Sequence, residues 1–120
     1  MSGRTIKFED GAVQFRQRLA VSILSNRPLL IRNIRCDSVE APGLRDHEAS
    51  FLRLLDTMTN GSEVEINATG TQLRFRPGIL TGGEISHECP NSRSVGWFFE
   101  GIICLAPFGK EDLRLSLSVS

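Results

Sequence analysis

Phe15–Pro28 reads FRQRLAVSILSNRP, and the order of its apolar residues decides the fold class. Phe15, Leu19 and Ile23 recur every four residues, with Ala12 and Ala20 beside them. That spacing is one apolar stripe of an amphipathic helix, and Asn26 and Pro28 end it. Upstream, Thr5–Phe8 alternates weakly and reads as a short strand, with a turn at Asp10-Gly11. Downstream, Leu29–Ile34 is a short apolar run, the pattern of a buried strand. The segment is therefore a helix carried between two strands.

Beyond the Pro42-Gly43 loop a second helix is expected from about Leu44 to Thr59, with Leu44, Phe51, Leu55 and Met58 on one face. Asn60-Gly61 stops it. Glu63–Ala68 alternates, with Val64, Ile66 and Ala68 facing one way. After a turn at Thr69-Gly70-Thr71, Leu73 and Phe75 continue the pattern with Arg74 and Arg76 opposite, so this is a β-hairpin. Gly78, Gly82 and Gly83 match no phosphate-cradling motif and are expected to shape a tight passage. A strand follows on Ile85, His87 and Cys89. Val95–Leu105 has helical spacing and ends at Pro107 and Gly109. Two of Trp97, Phe98 and Phe99 should face the sheet and the third should lie outside. Leu113–Val119 is a last alternating strand.

The order is β-α-β-α-β-β, then β-α-β. The expected fold class is α/β (α+β), built of repeated βαβαββ units. Residues 1–80 form one complete unit and residues 81–120 the βαβ start of a second. The chain stops within strand-like sequence, so it is expected to continue, or to have its apolar sheet surface covered by a partner.

At 120 residues the chain is long enough for about one domain. Its 40% hydrophobic and 23% charged residues are ordinary globular values and exclude a disordered or fibrous chain. No apolar run is long enough to span a bilayer, and the N-terminus has no secretory apolar core. Three cysteines are too few for a disulfide framework, which fits a reducing compartment. Cys36, His87, Cys89 and Cys104 have no zinc-ligand spacing, so no metal is expected. Net charge is zero, but its distribution is uneven. Gln14–Arg35 holds Arg16, Arg18, Arg27, Arg32 and Arg35 and no acid. From Glu84 to Asp112 five acids face only Arg93 and Lys110.

These five arginines are the candidate anion- or RNA-binding residues. Arg16 lies on the flank of the first helix's apolar stripe, near the helix start, where an anion is favoured. Turned half inward it needs a partner, either a phosphate or an acid such as Asp46 or Glu48. For Arg18, Arg27, Arg32 and Arg35 the choice is between RNA backbone contacts and a solvated helix face with strand ends. His47 and Glu48 read as an acid–base pair or as a helix cap paired with nearby arginines.

Three signatures carry a family resemblance: NIR at Asn33–Arg35 followed by PGL at Pro42–Leu44, LRFRPGILTGG at Leu73–Gly83, and the arginine-bearing first helix. In this order and spacing they resemble the RNA 3′-terminal phosphate cyclase family, over nearly the whole chain and matching the N-terminal third of a member. True cyclases carry E-G-G-G-Q before the first helix, where this chain has Glu9-Asp10-Gly11-Ala12-Val13. They also carry Gln-His where this chain has His47-Glu48. PGLRDHEASFLRLLDTMTNG, SHECP at Ser86–Pro90 and LAPF at Leu105–Phe108 instead look like the eukaryotic, non-cyclase branch.

The resemblance implies repeated βαβαββ units and a site in true cyclases lined by the arginine matching Arg16. It also implies that the nucleotide-accepting histidine of those enzymes lies downstream of this segment. For the non-cyclase branch it implies a nucleolar factor of early small-subunit ribosome assembly and pre-rRNA processing, with no cyclase activity. Its partners would be a ribosome-assembly GTPase, pre-rRNA and small-subunit processome proteins, with no cofactor and no membrane. The alternatives are an RNA-processing enzyme, either a 3′-phosphate cyclase or a pre-rRNA endonuclease, and a small RNA-binding α/β domain of other ancestry.

Overall fold

The computed structural model describes residues 4–119. Residues 1–3 and 120, the outer ends of the two expected units, lie outside the described residues. Strand β1 (Ile6–Phe8), helix α1 (Phe15–Ser25) and strand β2 (Leu29–Ile31) form a βαβ unit, its strands parallel with Ile6 opposite Leu29. Helix α2 (Asp46–Met58) runs into a two-residue strand β3 (Thr59–Asn60), and the hairpin β4 (Glu63–Ile66) and β5 (Leu73–Arg76) follows. Strand β6 (Ile79–Leu80) returns to pair with β3. The main sheet has the order β1-β2-β5-β4. Then β7 (Gly82–Cys89), α3 (Val95–Ile102) and β8 (Glu111–Val119) make a second βαβ unit with parallel strands.

Helices α1 and α2 cover one face of the main sheet. Leu29, Ile31, Leu73 and Phe75 join Phe15, Leu19, Ile23, Phe51, Leu54, Leu55 and Met58 in one core. The other face is polar: Lys7, Leu30, Arg74 and Glu65 stand in register across the four strands. Leu30 is nonetheless only 3% exposed, as expected where long charged side chains lay aliphatic stems over a neighbour. Ile85, Cys89, Phe98, Ile102 and Leu105 continue the same core into the second unit.

Phe51 of α2 is the hub. Its ring lies 6.4 Å from Phe15 of α1, 5.6 Å from Trp97 and 6.4 Å from Phe98 of α3. A Cβ at Gly101 would fall 2.6 Å from the Phe51 ring and 3.0 Å from Arg16 Cδ, so α3 approaches this closely only because residue 101 has no side chain. As expected, two of the three consecutive aromatics pack inward, Phe98 buried and Trp97 against the core, while Phe99 is exposed.

Several elements differ from the sequence expectation. Helix α1 starts at Phe15, not Ala12, because Gln14 adopts a left-handed conformation (φ 50°). β2 stops at Ile31, because Asn33 (φ 61°) and Arg35 (φ 46°) turn the chain; the Asn33 side-chain amide donates to the Glu9 carbonyl. Helix α2 starts at Asp46, because the Glu48 carboxylate accepts the Arg45 N–H at 2.8 Å and makes Arg45 the cap. Helix α3 ends at Ile102 and the chain tightens into a 3₁₀ turn at Ala106–Phe108, around Pro107. The β3–β6 ribbon was not foreseen. Val64 and Ile66, read as sharing the apolar face of an alternating strand, are 37% and 44% exposed, because they border an open trough beside α2.

The PGL signature has a steric basis. Gly43 has φ +85°, and an added Cβ would collide with the Thr69 carbonyl and Gly70. Its N–H donates to Ile34 O, and that of Leu44 to Gly70 O, each at 3.0 Å. Gly43→Ala is expected to cost about 2–3 kcal/mol through backbone strain and overpacking, read as a lower urea midpoint at unchanged slope.

Candidate anion-binding cleft

The N-terminal ends of α1, α2 and α3 meet at a cleft of about 340 Å³ that Gln14, Arg16, Arg35, His47, Arg93 and Trp97 help to line. Arg16 reaches across to α3. Its guanidinium donates to the Trp97 carbonyl at 2.8 Å, lies 4.8 Å from the Trp97 ring centroid and 3.7 Å from the Glu100 carboxylate. This is a cation–π arrangement with a carbonyl anchor. Its acidic neighbour is thus Glu100, and not Asp46 or Glu48.

Arg35 makes a bidentate pair with Glu48, at 2.6 and 3.1 Å, and also donates to the Gly43 carbonyl at 3.3 Å. The Glu48 side chain is almost fully buried. With the Arg45 N–H on the same carboxylate, Glu48 serves as a cap and an arginine partner, not as a free acid or base. His47 is buried against Trp97, edge to face at 5.0 Å. Its Nδ1 is buried without a hydrogen-bond partner and lies 3.6 Å from the Asp46 carboxylate. Burial pushes the His47 pKa down and Arg93 adds to that, against opposing pulls from Glu48 and Asp46. Asp46 is held below the usual carboxylate range, chiefly by the Ser92 hydroxyl that donates to it at 2.6 Å. The cleft thus gathers three guanidinium groups and a neutral imidazole with an unused ring nitrogen. Such a lining suits an anion with several acceptor oxygens.

The remaining sequence candidates lie elsewhere. Arg18 is bidentate to Asp10 (2.6 and 2.9 Å) and stacks 3.7 Å over the Phe8 ring, tying α1 to the end of β1; the same contact lowers the Asp10 pKa. Arg27 donates to the Arg4 carbonyl at 3.0 Å. Arg32 is 3.6 Å from Glu9. The structure thus brings Arg16 and Arg35 together and disperses Arg18, Arg27 and Arg32. Arg93, Trp97 and Glu100 are the members that sequence reading missed. Arg93 stands directly before Ser94, which caps α3 by accepting the Trp97 N–H at 3.3 Å. A cation placed before a capped apolar helix was the available signal.

Of the other singled-out residues, His87 shares a 2.8 Å hydrogen bond with Ser50, joining β7 to α2. Cys89 is buried, and Cys36 and Cys104 are exposed. No group of three metal-ligating side chains forms among the described residues, and no described helix is long and apolar enough to cross a membrane.

The profile of the RNA 3′-terminal phosphate cyclase family matches residues 7–118. The chain belongs to this family. It is 54% identical over 114 residues to the "Probable RNA 3′-terminal phosphate cyclase-like protein" of Dictyostelium discoideum, covering 94% of this chain and 30% of that protein. It is 54% identical over 102 residues to the "RNA 3′-terminal phosphate cyclase-like protein" of Homo sapiens, covering 85% of this chain and 27% of that one. It is 48% identical over 105 residues to the "rRNA processing protein RCL1" of Saccharomyces cerevisiae, covering 88% of this chain and 28% of that one. The chain spans under a third of the length of these relatives.

The buried imidazole of His47 and the half-buried one of His87 give the protein a defined acid response. Burial lowers the pKa of His47 and of His87, with Arg53 adding to the second. The unfolded chain, with ordinary histidines near pH 6.5, therefore takes up protons before the folded one does. Stability is expected to be full above about pH 6.5 and to fall as pH drops below it, by at most about 1.4 kcal/mol per pH unit for each histidine. Asp10 and Asp46 add to the loss only below about pH 4. Urea titrations between those limits should show the first slope, and His47→Gln should flatten it.

Proposed function

We propose that this chain belongs to a non-catalytic ribosome-biogenesis factor. It acts in early small-subunit assembly and pre-rRNA processing in the nucleolus, as a protein- and RNA-binding platform paired with an assembly GTPase. The observation that carries the reading is the 48% identity to a protein named for rRNA processing. The names of the other relatives, cyclase-like and not cyclase, agree with it. So does the local chemistry. Where a cyclase has its glycine-rich run, this chain has Glu9-Asp10-Gly11-Ala12-Val13. Asp10 there is tied to Arg18 and Glu9 lies beside Arg32. In this role the cleft holds an RNA phosphate, with Arg93 and His47 as the groups that have capacity left for it.

The competing reading is an RNA-processing enzyme, a 3′-phosphate cyclase or a pre-rRNA endonuclease. What favours it is the same cleft, which keeps Arg16, Arg35 and a neutral His47 together. The two readings separate when the protein with its natural continuation is incubated with labelled ATP, magnesium and a 3′-phosphorylated RNA. The expected outcome is no covalent nucleotide adduct and no cyclic phosphate, while an assembly GTPase still binds. An adduct with cyclic product, or cleavage of pre-rRNA that His47→Gln abolishes, overturns the platform reading. In the same preparation Arg93→Ala is expected to weaken RNA binding several-fold and to lower the salt slope by about one.

A further inference from the structure

Strand β4 is the last strand of the main sheet, and it is open in two ways at once. First, no strand among the described residues pairs with its outer backbone edge. Residues 63–66 pair with 76–73, and the next residue, Asn67, donates its N–H to the Gln72 carbonyl. In an antiparallel ladder alternate residues point their N–H and C=O toward the same neighbour. Asn67, Glu65 and Glu63 therefore face β5, and the N–H and C=O groups of Val64 and Ile66 face outward. Second, the side chains of Val64 and Ile66 form the floor of a trough of about 320 Å³, whose wall is Ala49, Leu52, Arg53 and Asp56 of α2. The residues with free backbone groups are thus the ones that line the apolar trough.

The charges choose the occupant. Asp56 and Arg53 offset each other on the trough wall, but Glu63 and Glu65 stand on the opposite face of β4, directly beside the open edge. Their arginine neighbours Arg74 and Arg76 sit one strand further in, and Arg76 is already within 3.8 Å of Glu63. The charged side chains that a fifth strand would meet first are therefore these two carboxylates, which disfavour a nucleic acid there. We propose that the β4 edge is a docking site for an extended protein segment of alternating apolar and basic residues, added to the sheet as a fifth strand. Residues opposite Val64 and Ile66 place apolar side chains in the trough. Residues opposite Glu63 and Glu65 place lysine or arginine beside those carboxylates. Main-chain hydrogen bonds hold the segment, and the two rows of side chains fix its register.

The probe is a capped, fluorescein-labelled peptide of alternating valine and lysine, with a block peptide of the same composition as control. Both are titrated against the protein with its natural continuation, isotope-labelled for amide spectra. The alternating peptide is expected to bind saturably and to shift the Val64 and Ile66 amides, while the block peptide binds at least about tenfold more weakly. Glu65→Lys, at an exposed position, should weaken binding severalfold with its own fold intact, and N-methylation of alternate peptide residues should abolish it. Equal binding of the two peptides, shifts centred elsewhere, or no saturation by about 1 mM overturns the proposal. Protection of the β4 amides in the free full-length protein also overturns it, since that places another part of the chain on this edge.

Discussion

The approach of α3 to α2 at Gly101 and Phe51 is the contact on which the rest depends. With no Cβ at residue 101, the Phe51 ring fits beneath α3 and meets Trp97 and Phe98 from one side and Phe15 from the other. The helices of the two βαβ units, α1 and α3, thereby share one core with α2, which lies between those units in sequence. The same closeness brings the Trp97 carbonyl within 2.8 Å of Arg16. The cleft is therefore a product of packing: its far wall is α3, and α3 is there because a glycine lets it be there. The Ser50–His87 bond adds a polar tie between the same two units.

The arginines illustrate how folding can spend a charge pattern internally. The stretch Gln14–Arg35 contains no acid, yet each of its five arginines finds an internal partner. Arg18 and Arg32 use Asp10 and Glu9, just upstream. Arg35 uses Glu48, thirteen residues on, and Arg27 a main-chain carbonyl near the chain start. Arg16 uses a carbonyl and a carboxylate more than eighty residues away. Charge density along the chain thus overstates what is free to meet an anion. Of the arginines of the cleft, the one with most left to give is Arg93, which lies in the acidic half of the sequence and among the described residues donates only to the carbonyl of its neighbour Ser92.

Much of the fold was legible in the sequence because its helices and strands carry clean periodicities. The i, i+4 stripe of Phe15, Leu19 and Ile23 and the two-residue alternation of Leu73 and Phe75 each end up buried as read. What failed is what periodicity does not encode. Gln14, Asn33 and Arg35 take left-handed conformations usually left to glycine, so α1 begins late and β2 ends early. Val64 and Ile66 alternate as a buried strand would, but alternation says only that two faces differ, not that anything covers the apolar one. The site was half legible: Arg16 and Arg35 announce themselves within the basic segment, whereas Arg93, Trp97 and Glu100 join only through the tertiary contact at Gly101.

The strand order of the main sheet has a consequence for the order of events in folding. β2 is the middle of the structure, with β1 on one edge and β5 on the other. The first pairing closes across one short helix. The second must wait for a strand that begins at Leu73, beyond the whole of α2 and the first arm of the hairpin. On a chain emerging from its N-terminus, Leu29–Ile31 therefore has one edge unsatisfied while more than forty further residues are made. That interval is when a buried apolar strand is most open to pairing with the wrong neighbour. The hairpin is local and quick to form, so β5 arrives already zipped to β4, and the sheet is completed in a single docking step.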